Sequence, residues 1–287
     1  MAAQRFYHHD AMNTTDLPNP TVDTPDPIPS KVDVFEGLDP AVRERTKKML
    51  MYFILFAVVM LFAGFTSAYI VSNVGQYWVH INPIRDLWIS NALIVLSSLP
   101  MWLSLRSMKQ GNTRASFIHL AITFALGIAF TVMQLHSWGH LQEKGMGWTI
   151  DELASGAKAY RWNSIEKLLD GPAVWGMDYT IVKDGTPLNY RPETNQLFAS
   201  DDVLMARDIT LDVVRTSNSA SGYLFILILI HLFHLALGLA YLLVNGIRIL
   251  KGSIHPGDTV RLHTGGVYWH FLGLLWVYLF AFLFLVH

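Results

Sequence analysis

Histidines within apolar stretches are the residues of this sequence best suited to chemistry, because a neutral imidazole can bind a metal ion or a haem iron. Two spacings place a pair on one helix face: His231 with His234, and His136 with His140. A metal site would need further ligands, usually carboxylates or thiolates. The sequence has no cysteine, and the apolar stretches contain no Asp or Glu. We therefore expect no metal site in this chain.

Haem ligation is the alternative use of the same imidazoles. Two stacked haems need both ligands of a helix on one face, but His119 and His136 are separated by about 260° around a helix. His270 and His287 repeat the same spacing. A single haem held between His234 and His119 stays open as a hypothesis. For most of these histidines, packing across helix contacts is the interpretation that we favour.

Other signatures of catalysis are missing from the sequence. It contains no Walker loop, no G-x-S-x-G and no H-E-x-x-H segment. Ion-coupled transport is also disfavoured, because proton and cation pathways in membranes commonly use carboxylates inside the spans. A net charge of −1 leaves no basic surface for nucleic acid. We expect no catalytic and no cofactor-binding residue in this chain.

Five charge-free stretches determine where these side chains lie. Hydrophobic residues make up 52% of the 287, charged residues only 15%, and the mean hydropathy is +0.32. Each stretch holds roughly 20 apolar residues, enough for a helix to cross a bilayer. The predicted helices are about 49–74, 87–105, 115–138, 220–245 and 264–286. The expected fold is an all-α integral membrane protein, a bundle of five transmembrane helices.

Basic residues indicate the orientation of the bundle. They are concentrated before the first helix, between the second and third, and between the fourth and fifth, whereas the first short loop has only Arg85. Because cytoplasmic loops are enriched in Lys and Arg, we expect a cytoplasmic N-terminus and an extracytoplasmic C-terminus.

The segments outside the helices differ in character. Residues 1–44 are polar and rich in proline, which is typical of a flexible cytoplasmic tail. Residues 45–140 and 220–287 contain helices one to three and helices four and five. Residues 141–219 form a long acidic extracytoplasmic insertion, in which the Asp184-Gly185 pair predicts a hairpin between 179–182 and 186–190.

Each predicted helix carries a stripe of small or polar residues. Small residues let helices approach closely and polar residues bond across the contact, so these stripes are expected to face protein. The stripes are Ala63, Gly64, Ser67 and Ala68 on helix one; Ser90, Ser97 and Ser104 on helix two; His119, Thr123, Gly127, Thr131 and Gln134 on helix three; His231, His234, Gly238, Tyr241, Asn245 and Arg248 on helix four; and Trp269, Gly273, Trp276 and Phe280 on helix five.

Several short motifs in these helices carry a family resemblance. The motifs are His231-Leu-Phe-His234-Leu-Ala-Leu-Gly238 followed by Arg248, Tyr268-Trp269-His270-Phe271 with Trp276, Phe62-Ala63-Gly64 with Ala68-Tyr69, Trp88-Ile89-Ser90-Asn91, and Phe130-Thr131-x-x-Gln134. In this order they resemble the last five helices of subunit III of haem-copper oxidases (cytochrome c oxidase subunit III). The chain is most similar to the five-helix bacterial form of that family.

The resemblance implies a non-catalytic subunit of a proton-pumping terminal oxidase in a bacterial cytoplasmic membrane. Such a subunit holds no redox cofactor, since haems and copper belong to its partners, and it packs with subunits I and II and further oxidase subunits. It binds phospholipid and supports proton uptake and the stability of the complex. The residues expected to contact lipid or other subunits are His119, Gln134, His231, His234, Asn245, Arg248, Trp269, His270 and Trp276.

Departures from the family pattern keep alternatives open. Val58, Ser137 and Gly273 stand where the family usually has carboxylates, so a carboxylate-dependent part in proton uptake is not expected of them. The alternatives are an accessory protein of nitric oxide reductase and a membrane b-type cytochrome that uses His234 and His119. The 141–219 insertion is expected either to dock cytochrome c or a neighbouring respiratory complex, or to act as a lid that braces the bundle.

Overall fold

Five long helices form where the charge-free stretches predict them, because backbone groups in a membrane must be hydrogen-bonded within the segment. A computed structural model describes residues 39–152, 158–162, 164–216, 218–256 and 259–286. Most of the predicted 1–44 tail and His287 lie outside these residues. The long helices are α1 (Pro40–Asn73), α2 (Arg85–Lys109), α3 (Thr113–Glu143), α6 (Ser219–Leu250) and α7 (Val260–Ala281), which ends in a π-helical turn at Phe282–Val286. All five are long and apolar enough to cross a membrane.

The chain divides into two compact units, residues 1–43 and 44–287. In the described part of the first unit, Asp39 caps the start of α1, where its carboxylate accepts a hydrogen bond of 2.9 Å from the Ala41 N–H.

Within the second unit, the α1 C-terminus, the α2 N-terminus, the α3 C-terminus and the α6 N-terminus share one end of the bundle, which we call the loop end. Ser72 near the end of α1 lies 2.9 Å from the Tyr223 hydroxyl near the start of α6. Asp86 in the first turn of α2 reaches the last turns of α3. Consecutive spans therefore run in opposite directions.

Hydroxyl groups join α2 to its neighbours. Ser90, Ser97 and Ser104 are fully buried, as their spacing predicts. The Ser104 hydroxyl donates to the Ser116 carbonyl at 2.8 Å, and a short turn at Gly111, with a φ of +84°, makes α2 and α3 antiparallel neighbours.

A close approach at Gly127 joins α3, α6 and α7. A Cβ added to Gly127 would lie 2.6 Å from the Trp269 ring and 2.8 Å from Leu239. Only glycine leaves room here for the indole to reach the backbone of α3.

Helix α1 does not follow the prediction that its small residues face protein. Ala63, Gly64 and Ser67 are exposed, and no atom of the described residues lies within 4 Å of a Cβ added to Gly64. Its larger residues Phe62 and Tyr69 face the chain instead. Because α1 is apolar all round, its sequence pattern does not show which face the other helices cover.

Strands make the chain mostly helical rather than all-α, which corrects the expected fold class. The strands are β1 (Tyr77–Ile81), β2 (Trp148–Glu152), β3 (Lys158–Trp162), β4 (Tyr179–Lys183), β5 (Thr186–Pro187), β6 (Asn189–Arg191) and β7 (Gln196–Phe198), and two short helices, α4 (Ile165–Leu169) and α5 (Thr210–Val214), accompany them. The predicted hairpin is confirmed, since β4 pairs with β5 and both Asp184 and Gly185 have positive φ.

The insertion is anchored to the helices by pairings that the sequence analysis missed. Strand β1, in the loop between α1 and α2, pairs antiparallel with β4, with Val79 opposite Ile181. Lys144, just after α3, forms an ion pair with Asp178. Burial raises the pKa of the Asp178 carboxyl, but hydrogen bonds from Lys144 and the Val174 N–H outweigh it and hold the pKa below its usual value.

Replacing Gly127 with Ala is expected to destabilise the bundle by about 1–3 kcal/mol, because the added methyl group overlaps Trp269 and Leu239. Thermal unfolding of the purified chain in detergent measures the effect. Gly139→Ala on the same helix is the matched control, since nothing lies within 4 Å of its added Cβ. Equal midpoints for the two variants would contradict the close approach.

The Asp178 pair is expected to make the insertion sensitive to acid. The pKa of Asp178 is lower in the folded than in the unfolded chain. The carboxylate therefore contributes its full stabilisation of the folded insertion above the unfolded pKa of about 4, and this contribution is lost as the pH falls through the folded pKa. Lowering the pH from about 7 to about 3 should therefore reduce the unfolding midpoint more in the wild type than in Asp178→Asn. The exposed Asp201→Asn serves as the control, and an unchanged pH response in Asp178→Asn would refute the assignment.

Candidate functional site

A buried polar cluster lies where α2, α3, α6 and α7 meet. His231 of α6 is fully buried, with its ring centroid 5.1 Å from Trp276 and 6.2 Å from Phe130. Gln134, one turn after Phe130 on α3, accepts a hydrogen bond of 3.4 Å from the Ser90 hydroxyl. The structure therefore brings together Gln134, His231 and Trp276 from the predicted set.

The cluster holds several polar atoms that carry no fixed charge. Within the part of the chain that the structure describes, both ring nitrogens of His231, Nε2 of Gln134 and Nε1 of Trp276 have no hydrogen-bond partner. An unsatisfied buried polar group costs about 1–3 kcal/mol, so such groups are seldom kept by packing alone. In the described cluster, the one hydrogen bond that crosses between helices is the bond from Ser90 of α2 to Gln134 of α3.

Trp269, about two turns before Trp276 on α7, makes a second contact between helices. The Trp269 indole N–H donates a hydrogen bond of 2.9 Å to the Ser97 hydroxyl, which itself donates to the Ile94 carbonyl at 2.7 Å. The same ring fills the space above Gly127. Trp269 thus connects α7 to α2 and α3 through one hydrogen bond and one close packing contact.

Asn245 lies at the opposite end of the bundle from β1. It is fully buried where α6 crosses the start of α7, and a Cβ added to Gly265 would lie 3.4 Å from its Nδ2. Beside it, the Tyr241 hydroxyl donates to the Arg261 carbonyl at 3.1 Å. Where α6 crosses the start of α7, the side chains of Asn245 and Tyr241 therefore pack against other residues of this chain.

The predicted contact residues divide into two groups. Gln134, His231, Asn245, Trp269 and Trp276 are buried among the helices of this chain, with exposures of 0–1%. His119, His234, Arg248 and His270 are half-buried. The second group is therefore the part of the predicted set that a lipid or another subunit can reach directly.

His119 and His234, the pair of the haem hypothesis, have partners on different helices. His119 Nδ1 lies 3.3 Å from the Ser107 hydroxyl of α2. His234 donates through Nδ1 to the Ile230 carbonyl at 2.8 Å, and its ring lies 6.0 Å from that of Phe62 on α1. His119 thus contacts α2, whereas the hydrogen bond of His234 stays within α6 and its ring faces α1.

The contacts that hold α1 were not found from the sequence. Tyr69 accepts a hydrogen bond of 2.9 Å from the Trp78 indole, and its ring packs edge-on against Phe282, 5.2 Å away. Thr66 lies 3.4 Å from the Tyr278 hydroxyl. The only available signal was the aromatic content near the helix ends, which also fits residues at a membrane interface.

Comparison with known proteins identifies distant relatives over most of the chain. Cytochrome c oxidase subunit 3 of Alkalihalophilus pseudofirmus is 22% identical over 264 residues, covering 89% of this chain and 96% of the relative. Cytochrome bo(3) ubiquinol oxidase subunit 3 of Buchnera aphidicola is 20% identical over 236 residues, covering 82% and 80%. No family model matches the chain.

Both relatives are third subunits of terminal oxidases, and their alignments extend well beyond any single motif or helix. This agrees with the family that the motifs of α1, α2, α3, α6 and α7 indicated. The chain is a distant homologue of subunit III of haem-copper terminal oxidases.

Proposed function

We propose that this chain is the non-catalytic subunit III of a proton-pumping terminal oxidase in a bacterial respiratory membrane. The observation that carries the proposal is homology to two oxidase third subunits over more than four-fifths of the chain. In this role the haems and copper belong to partner subunits, and the chain supports the assembly through its packed helices. Its N-terminus lies in the cytoplasm and its C-terminus outside, as the basic residues indicate.

The exposed face of α1 supports association with another subunit. In the most apolar part of α1 only 17% of residues are buried, against 28–61% in the other four spans. Ala63, Gly64 and Ser67 lie on its uncovered side, and small residues allow the backbone of a partner helix to approach closely. We assign this face to the contact with the catalytic subunit.

Three residues of this chain stand at positions where the family usually has carboxylates, and their side chains support a stabilising role in the complex. Val58 is buried, Ser137 donates its hydroxyl to the Met133 carbonyl at 2.9 Å, and Gly273 packs near Ile94. None of these side chains can take up a proton at neutral pH. In our proposal the chain therefore supports proton uptake by holding the partner subunit in place.

For the insertion, the contacts favour the brace over the docking surface. β4 is paired with β1, and Asn82 next to β1 donates its side-chain amide to the carbonyls of Gly176 and Met177 at 3.2 and 2.9 Å. The Lys144–Asp178 ion pair adds a link to α3. These bonds hold the insertion against the loop end of the bundle.

Co-purification tests the proposed function. Extracted in a mild detergent, the tagged chain should bring with it subunits that carry haem and copper, and the preparation should reduce oxygen. The same chain purified alone in a stringent detergent should show no Soret absorbance. A Soret band in the isolated chain, or a set of companions without an oxidase, would refute the proposal.

A matched pair of glycine variants locates the contact in the same experiment. Gly64→Leu should fold normally, since no described atom lies within 4 Å of the added Cβ, but should lower the yield of co-purified subunits severalfold. Gly139→Leu adds the same bulk to an equally open position on α3. Equal yields for the two variants would exclude the α1 face as the contact.

Arg248→Ala is expected to remove about one tightly bound phospholipid per chain, because Arg248 is a half-buried residue at the end of α6 whose guanidinium can pair with a lipid phosphate. Mass spectrometry of lipids retained by the purified complex measures the loss. Lys251→Ala, an exposed cation three residues further on, is the control. Unchanged lipid content in Arg248→Ala would reject the site.

A further inference from the structure

Three potential metal ligands meet at the loop end of the bundle. His136 Nδ1 lies 3.0 Å from Asp86 Oδ2, and His140 Nδ1 lies 3.8 Å from the same oxygen. The two imidazole centroids are 4.4 Å apart. The three donor atoms all lie within 4.8 Å of one another, although Asp86 and His136 are 50 residues apart in the sequence.

Two rigid elements create this arrangement. His136 and His140 are one turn apart near the end of α3, so their side chains project from the same face. The short turn at 110–112 makes α2 antiparallel to α3, which brings the first turn of α2, with Asp86, beside the last turns of α3. Ligands on packed helices are positioned more precisely than ligands on loops.

The distances suit a small divalent cation. A tetrahedral zinc ion with bonds of about 2.0–2.1 Å keeps its ligand atoms roughly 3.3 Å apart. The observed separations from the Asp86 oxygen, 3.0 and 3.8 Å, lie on either side of that value. The two imidazole side chains are 58% and 48% exposed, which leaves their rings room to turn toward an ion.

The ligand types and their exposure indicate the same chemistry. Two imidazoles and one carboxylate are a common protein ligand set for zinc, and they leave a fourth position for water or an outside donor. The side chains of Asp86, His136 and His140 are 21%, 58% and 48% exposed, so an ion can enter from solvent.

The local electrostatics favour a cation. The negative end of the α3 dipole lies in the turns that carry the histidines, and Asp86 contributes a full negative charge. Lys144, the nearest cation after α3, is paired with Asp178. Arg85 precedes Asp86, but its side chain is exposed.

We propose that Asp86, His136 and His140 form a surface zinc site that links the start of α2 to the end of α3. This reverses the expectation of no metal site, which considered carboxylates only inside the apolar stretches, whereas Asp86 lies just before one of them. The fourth position is taken by water in the isolated chain. This site belongs to the chain alone and does not depend on the oxidase role, so the two proposals can fail separately.

Zinc titration of the full-length chain in detergent tests the site. The chain should carry a tag without histidine, and binding of ZnCl₂ is measured by competition with a zinc-sensitive dye. We expect one tight site per chain in the wild type. His136→Ala, His140→Ala and Asp86→Asn should each weaken binding by more than about tenfold, since each removes a ligand.

His255→Ala is the matched control, because it removes an exposed histidine from the α6–α7 connection and should leave affinity unchanged. Circular dichroism checks that every variant keeps its helices, and Asp86→Asn preserves the side-chain shape if an alanine variant unfolds. Cobalt loaded in place of zinc should give visible d–d bands that the three site variants lose. A wild-type chain without tight zinc binding would overturn the proposal, as would site variants that match His255→Ala.

Discussion

The contact of Trp269 with Gly127 and Ser97 is the interaction on which the arrangement of the spans depends. In a bilayer, lipid tails solvate leucine as well as another helix does, so helices associate through close packing and interhelical hydrogen bonds. Because Gly127 has no side chain, the Trp269 indole can approach the backbone of α3. The Ser97 hydroxyl of α2 accepts a hydrogen bond from the indole N–H. This one aromatic residue therefore connects three helices, α2, α3 and α7.

The same constraint explains why the interior, as far as the described residues show it, contains uncharged polar groups and no buried carboxylates. Ser90, Gln134, His231, Asn245 and Trp276 bring hydroxyl, amide, imidazole and indole groups into the described core. Uncharged groups can be buried at moderate cost, whereas an unpaired charge cannot. Fixed charges are found instead near the helix ends, as in the Lys144–Asp178 pair.

Helix α1 differs from the other four spans because the described part of the chain covers little of it. Its inner contacts use large residues, with Tyr69 bonded to Trp78 and packed against Phe282, while Gly64 faces outward. A helix with small residues on an uncovered face is suited to receive another helix. The distant homology to oxidase third subunits supplies a partner of the right kind, since such subunits work within a larger complex.

The sequence by itself determined the number and positions of the spans, the stripes of α2, α3, α6 and α7 that face mainly inward, the Asp184-Gly185 hairpin and the resemblance to oxidase third subunits. These features are local, because hydropathy, helical spacing and turn residues act over a few residues of chain. Only the tertiary structure decided which face of α1 is covered, that β1 pairs with β4, and that Asp86 joins His136 and His140. Each of these depends on chain segments far apart in sequence, and whether two segments meet is set by how whole helices pack and not by any pattern within one of them.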